Sequence, residues 1–382
     1  MTLILNRRNM ICALGAAALL PARLAYAAAA SGERRFVFII QRGAADGLAT
    51  LAPVGDPAFA KARGALAEDF AGAAKLDTTF ALHPALAGMG ALYGQKEALF
   101  LHGVGIPYRD RSHFDAQNVL ETGGTKPYDT KDGWMNRLLT LLPGGTRAMA
   151  VSPTVPAALR GSRDVTSYAN SRLPDPDAEL IQRVSAMYAG DQQLHALWES
   201  SMQAKAMAAG NDDRGQDPVA TGKLAASLLS GPQGARVAMI ETGGWDTHFQ
   251  QKGRLERQLK GLDAMLGALK TGLGPAWNDT LVLVATEFGR TVAPNGTGGT
   301  DHGTGSLAML LGGTVNGGRV VSDWPGLAPG QLYEGRDLRP TLGIDAAIAG
   351  ALGGHFGIDP ARVLATCFPQ TGEKPIGGLI RT

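Results

Sequence analysis

An α/β fold, in which a mostly parallel sheet is sandwiched by helices, is what this 382-residue sequence predicts. Six short apolar runs of four to six residues, rich in β-branched and aromatic side chains, recur along the chain and read as buried strands. Helical patterns separate several of these runs, and the 52 glycines gather in the connections. Strands that are apolar throughout must be covered on both faces, and strands alternating with helices give a parallel order.

The chain opens with Asn6-Arg7-Arg8-Asn9-Met10, an apolar run from Met10 to Leu20, and Ala25-Tyr26-Ala27. A charged region, a short apolar core and a small-x-small site make residues 1–27 an export signal, and the adjacent arginines direct it to the twin-arginine export machinery. The apolar core is roughly half the length that spans a bilayer, so no stable membrane anchor is expected. Cleavage leaves residues 28–382 as a single domain in the periplasm or secreted. Removing 27 residues that hold three arginines and no acid takes the formal charge from +2 to −1, which gives no global field for nucleic acid. Cys12 leaves with the signal, and Cys367 in an apolar setting reads as an inert buried thiol.

Phe36–Gln41 is the first strand, followed by the turn-rich Arg42-Gly43-Ala44-Ala45-Asp46-Gly47. Ala98–His102, Ala148–Val151, Val237–Glu241, Leu281–Thr286 and Leu307–Leu311 repeat the pattern. Helical periodicity covers 133–142, 177–208, 218–229, 249–273 and 343–352. Met207–Pro218 is polar and breaker-rich, and reads as a loop within one domain. His83 before Pro84 fits a helix start, while His102, His195 and His355 read as structural.

Ligands of an open α/β sheet bind beyond the carboxyl ends of the strands, so the polar residues there are the candidates. Asp46 follows the first strand, Asp246 and His248 follow the fourth, Glu287 and Arg290 follow the fifth, and a glycine-rich loop then delivers Asp301 and His302. Acids and imidazoles converging on one edge would repel and resist desolvation without a cation. A divalent metal resolves this, and the mixed donors suit zinc, manganese or iron better than calcium. Taken singly, Asp46, Asp246 and Asp301 could equally be turn formers or caps.

Arg109-Asp110-Arg111-Ser112-His113-Phe114-Asp115 can be read in two ways. Ser112 with Asp115 three residues on is a variant capping box. A serine at a helix N-terminus, close behind two arginines, could also attack a phosphate or sulfate ester, with a metal or His113 removing its proton. That role expects Ser112 at the mouth of a pocket lined by Asp46 and Asp246. Arg109, Arg111 and Arg290 are the candidates for contacting the ester's oxygens.

QRGAADGL at 41–48, HPAL at 83–86, RSHFDAQ at 111–117, GGWDTH at 243–248, TEFGRT at 286–291, GTDHG at 299–303 and GRDLRPT at 335–341 occur in this order. From Phe36 to about Pro369 the chain resembles the secreted domain-of-unknown-function 1501 family, itself similar to the alkaline phosphatase and sulfatase superfamily. The resemblance implies an alkaline phosphatase-like fold and metal ligands at Asp46, Asp246, His248, Glu287 and His302, to which the residue reading adds Asp301. It also implies a nucleophile at Ser112. Phe288 stands where the superfamily has a second imidazole, which implies a reduced site: one metal, a weak pair or a relic. Two functions are therefore expected as alternatives. One is an exported metal-dependent hydrolase of small-molecule phosphate or sulfate esters, and the other is a catalytically reduced relative that binds a ligand or partner protein.

Overall fold

The computed structural model describes residues 33–171, 176–208 and 215–381. The leader expected at 1–27 and part of the polar stretch 207–218 lie outside the described residues. β1 (Arg35–Gln41) is followed by α1 (Gly47–Thr50), β2 (Leu51–Ala52), α2 (Phe59–Arg63) and β3 (Ala81–Leu82). Next come α3 (Ala87–Gly94), β4 (Ala98–Gly105), α4 (His113–Thr122), α5 (Trp134–Leu138), β5 (Ala148–Val151) and β6 (Val165–Ser167). Then α6 (Ala178–Tyr188), α7 (Gln192–Ala208), α8 (Pro218–Leu229), β7 (Val237–Thr242), α9 (Gln251–Leu273) and β8 (Thr280–Ala285). The last elements are β9 (Ser306–Leu311), β10 (Arg319–Ser322), β11 (Leu342–Gly343), α10 (Ile344–Phe356) and α11 (Pro360–Cys367).

The large sheet runs β10-β4-β9-β8-β1-β7-β5-β6, with β11 added to the end of β4, and β2 pairs β3 in a small separate sheet. Every pairing in the large sheet is parallel except those of β9, which runs antiparallel to both β4 and β8. β1 shows why its run has no polar residue between Phe36 and Ile40. Phe36, Phe38 and Ile40 face one hydrophobic layer while Val37 and Ile39 face the other, as the two-residue period of a strand requires. The first layer is filled from α4, α5, α10 and α11, the second from α3, α8 and α9. His102 and His355 are buried, and burial pushes the Cys367 thiol up to about 12. No helix among the described residues is long and apolar enough to cross a membrane.

The structure departs from the sequence reading in three places. The stretch 177–208 is two helices, because Gly190 ends the first and the Asp191 carboxylate caps the second through the Gln193 and Leu194 N–H groups, both at 2.9 Å. The helix expected at 133–142 covers only Trp134–Leu138. Beyond it the backbone tightens to i to i+3 bonds, Thr140 to Arg137 and Leu141 to Leu138, ahead of Pro143. β2, β3, β6, β10 and β11 were not expected: the first two are only two residues long, and the other three are short and half-buried, so none carries much apolar pattern.

Candidate metal centre

The carboxyl ends of β1, β4, β7 and β8 lie at one edge of the sheet, and each feeds a loop bearing polar residues. Because β9 is antiparallel, its start lies at that same edge, so His302, four residues before Ser306, arrives there too. Close backbone crossing brings the loops together. A Cβ on Gly289 would stand 1.8 Å from the Gly305 carbonyl oxygen, and one on Gly303 would stand 2.4 Å from the Arg290 carbonyl, so only glycine lets these segments touch.

His113, Asp246 and His302 converge, each offering a ligand atom within 4.8 Å of the others. The His113 and His302 Nε2 atoms are 2.9 Å apart, Asp246 Oδ2 is 3.5 Å from the first and Asp246 Oδ1 is 3.3 Å from the second. His248 adjoins this group, its Nε2 at 2.9 Å from His302 Nε2 and 3.0 Å from Asp246 Oδ1.

The outer ring nitrogens fix what these contacts mean. His113 Nδ1 donates to Glu287 Oε1 at 2.8 Å, His248 Nδ1 donates to Asp301 Oδ1 at 3.0 Å, and His302 Nδ1 donates to the Arg111 carbonyl at 3.1 Å. Ionised carboxylates and carbonyls only accept, so each ring carries its proton on Nδ1. Three Nε2 lone pairs therefore point at one another and at a carboxylate. Such an arrangement repels itself unless a proton or a cation lies among the donors. Separations of 2.9 to 3.5 Å suit donors sharing one ion at bonds of about 2.0–2.2 Å. Outward Nδ1–H bonds to oxygen are also how metal-binding imidazoles are held. The donor set fits a divalent metal.

The surrounding charges agree. Its hydrogen bond to Glu287 raises the His113 pKa above the usual histidine range. Burial, and then the charge that His113 takes on when protonated, lower that of His302. Burial works against ionising Asp246, but the buried Arg290 guanidinium, donating at 2.6 Å, holds its carboxyl below the ordinary range. Glu287 is fully buried, yet donors from His113, Gln117 at 3.0 Å and the Gly43 N–H at 2.8 Å hold it low as well. Asn295 and then His248 do the same for Asp301.

Sequence reasoning missed Gln117 and Arg42. Arg42 Nη1 donates to Gln117 Oε1 at 2.9 Å, which obliges the Gln117 amide nitrogen to turn to Glu287. Both residues sit inside motifs already singled out, but a glutamine carries no ligating signal of its own. We expect Gln117→Leu to weaken metal binding about 10- to 100-fold without removing any ligand, as measured by competition with a chelating dye.

Other predicted residues lie elsewhere or act differently. Asp46 is not in the converging group. It is 1% exposed, receives Arg63 at 2.6 Å and Gln251 Nε2 at 2.7 Å, and caps α1 through the Ala49 N–H. With both oxygens occupied and no exposed surface, it cannot line an open pocket. Glu287 and Asp301 bind the imidazoles from outside rather than joining the inner donors. His113, read as a proton acceptor for serine, is one of those inner donors. Arg290 is buried and bound to Asp246 and Thr300, so it presents nothing to a substrate. Arg111 is paired with Glu334 and with Asp337 at 2.8 Å. Arg109 turns away to a separate cavity.

Ser112 occupies the N-cap position of α4, but its side chain makes no cap hydrogen bond, and Asp115 instead accepts from Tyr108 at 3.1 Å. The capping box is absent. We therefore expect Ser112→Ala to change stability by less than about 0.5 kcal/mol in urea denaturation, rather than the roughly 1 kcal/mol a lost cap costs.

Residues 33–368 match the family described as protein of unknown function (DUF1501). A search of curated proteins finds no match. Among solved structures, the chain is similar to the lipoteichoic acid synthase LtaP from Listeria monocytogenes, at 10% identity and a TM-score of 0.42, covering 86% of this chain and 72% of that one. The C-terminal periplasmic domain of EcEptC from Escherichia coli, in complex with Zn, gives 10% and 0.39, covering 73% and 72%. The PsFucS1 sulfatase from Pseudoalteromonas sp. gives 12% and 0.37, covering 83% and 68%.

Proposed function

We propose that this chain, which belongs to the DUF1501 family, is an exported metal-dependent hydrolase of phosphate or sulfate esters. The observation that carries the reading is the convergence of three imidazole Nε2 atoms and the Asp246 carboxylate, one of them from His113, the residue that follows Ser112 in the chain. His113, Asp246 and His302, with His248 beside them, would hold the ion, zinc or manganese by donor type. A bound divalent ion supplies Lewis acidity toward an ester oxygen and lowers the pKa of a coordinated hydroxyl.

The protein's own groups supply position. Ser112 begins α4 with its hydroxyl not engaged as a cap but facing the Tyr108 hydroxyl, and in this reading it is the group that attacks phosphorus or sulfur. The first-turn N–H groups of α4 have no side-chain cap, so in this reading they would receive an ester oxygen as it gathers charge. Asp246 keeps its orientation through Arg290, and His113 through Glu287. Export rests on the leader at 1–27, which places the reaction in the periplasm or outside the cell.

A second reading, a metal-binding relative that holds a ligand without turning it over, draws on one observation. Arg111 and Arg290 are both paired with carboxylates, so neither offers a free guanidinium to an anionic ester. Protein purified without chelators, assayed for metal and then against aryl phosphates and aryl sulfates, separates the two. The hydrolase reading expects turnover that Ser112→Ala abolishes with metal content unchanged. Stoichiometric metal with no turnover of either ester class selects the second reading.

A further inference from the structure

Beyond the metal centre, at the end of β4, lies a cavity of about 230 Å³ lined by charges of both signs that do not pair. Arg109 enters it from one side. Among the described residues no carboxylate pairs with Arg109, and its Nη1 donates to the Tyr108 carbonyl at 3.3 Å. Asp345, in the first turn of α10, lines it as well, at 6% exposure. One of its oxygens accepts the Ala346 N–H at 2.8 Å, and the other takes no hydrogen bond among the described residues. Glu373 stands at the rim.

Two glycines hold these charges in place. Gly105 of β4 and Gly343 of β11 are register partners. A Cβ on Gly105 would be 3.5 Å from Arg109 Nη1, and one on Gly343 would be 2.6 Å from Asp345 Oδ1 and 3.1 Å from Glu373 Cγ. Pro340 packs closest to Gly105, its Cβ 2.7 Å from where that Cβ would stand, and Gly343 leaves bare backbone beside the acids.

A half-buried guanidinium and a buried carboxylate that share a cavity without touching each bear a desolvation cost that a suitable ligand would offset. An anion alone would meet Asp345 and Glu373, a cation alone would meet Arg109, and a neutral polyol would neutralise neither. The geometry points to a binding site for a small zwitterion of the α-amino-acid class. Its carboxylate would lie on the Arg109 guanidinium and its ammonium on Asp345, with Glu373 adding to the acidic end. This site is independent of the metal centre and of the ester reading.

Titration calorimetry of the purified chain with the proteinogenic amino acids tests it, with propionate, ethylammonium and glycerol as single-feature controls. At least one amino acid should bind saturably, with each control at least about 10-fold weaker. Arg109→Gln should weaken that binding about 10- to 100-fold, the effect of removing a charge-assisted pair. Gly343→Ala gives a second check. Gly343 sits at φ −77° and ψ 133°, a conformation open to any residue, so the fold should persist while the new methyl displaces Asp345 and binding falls. The assignment is overturned if no amino acid binds at about 10 mM, or if propionate or glycerol binds as tightly. Equal binding by a folded Arg109→Gln variant overturns it too.

Discussion

Replacing His302 with alanine should abolish stoichiometric metal binding, the largest functional effect of any single change at this site. His302 Nε2 is central to the cluster, lying 2.9 Å from the corresponding atoms of both His113 and His248 and 3.3 Å from Asp246. Its removal leaves His113 and His248 joined only through Asp246, at 3.5 and 3.0 Å, with the donor between the two rings gone. Asp246→Ala should have the same consequence, because it takes away the carboxylate that all three rings face. Plasma emission analysis of purified variants reads the result directly, and wild-type metal content in His302→Ala would disprove the site. The wild-type protein should also bind metal more tightly as pH rises. His113, whose pKa is raised by Glu287, must give up its proton before Nε2 can act as a donor.

Arg63→Met should cost about 3–5 kcal/mol of stability, the largest structural effect expected outside the apolar core. The side chains of Arg63 and Asp46 are each 1% exposed and lie 2.6 Å apart. Deleting the guanidinium leaves a carboxylate buried without a counter-ion and removes donors from the Thr291 and Val292 carbonyls. Pairing it with Asp46→Asn should restore part of the loss, since the amide carries no charge. Urea denaturation measures both. Asp46→Asn alone should leave metal content unchanged, and loss of metal in that folded variant would return Asp46 to the set of ligands.

Much of this architecture could be read from the amino acids because burial writes a clear pattern. A strand such as Phe36–Gln41, covered on both faces, shows as an unbroken apolar run, and the acids that follow it can only lie at the strand's carboxyl end. Adjacency was legible, but partnership was not. Asp46 follows its strand just as Asp246 follows β7, yet Asp46 is neutralised by an arginine 17 residues later, and no local pattern records that pairing. The same limit applies to Arg290 and Arg111, whose carboxylates lie 44 and 226 residues away. His113 stood beside the serine that drew attention, and only the folded chain shows its ring turned toward His302. Ser112 is the reverse case, a residue with the sequence and backbone of a cap but no capping hydrogen bond from its side chain.

The antiparallel course of β9 also bears on the order of events during folding. His113 and His302 are 189 residues apart in the chain, and Asp246 is 56 residues from His302. Their approach requires β9 to have inserted between β4 and β8, which are themselves distant in sequence. In small zinc-dependent modules the ligands are close in sequence and the ion organises an otherwise unfolded chain. Here long-range pairing has to come first, and such pairing is the slow part of folding. The chain must therefore fold without help from the ion, and capture of metal becomes a late event that reports on completed sheet assembly. A chelator should strip the centre and leave the circular dichroism spectrum essentially native, whereas a variant that prevents β9 insertion should never load metal at all.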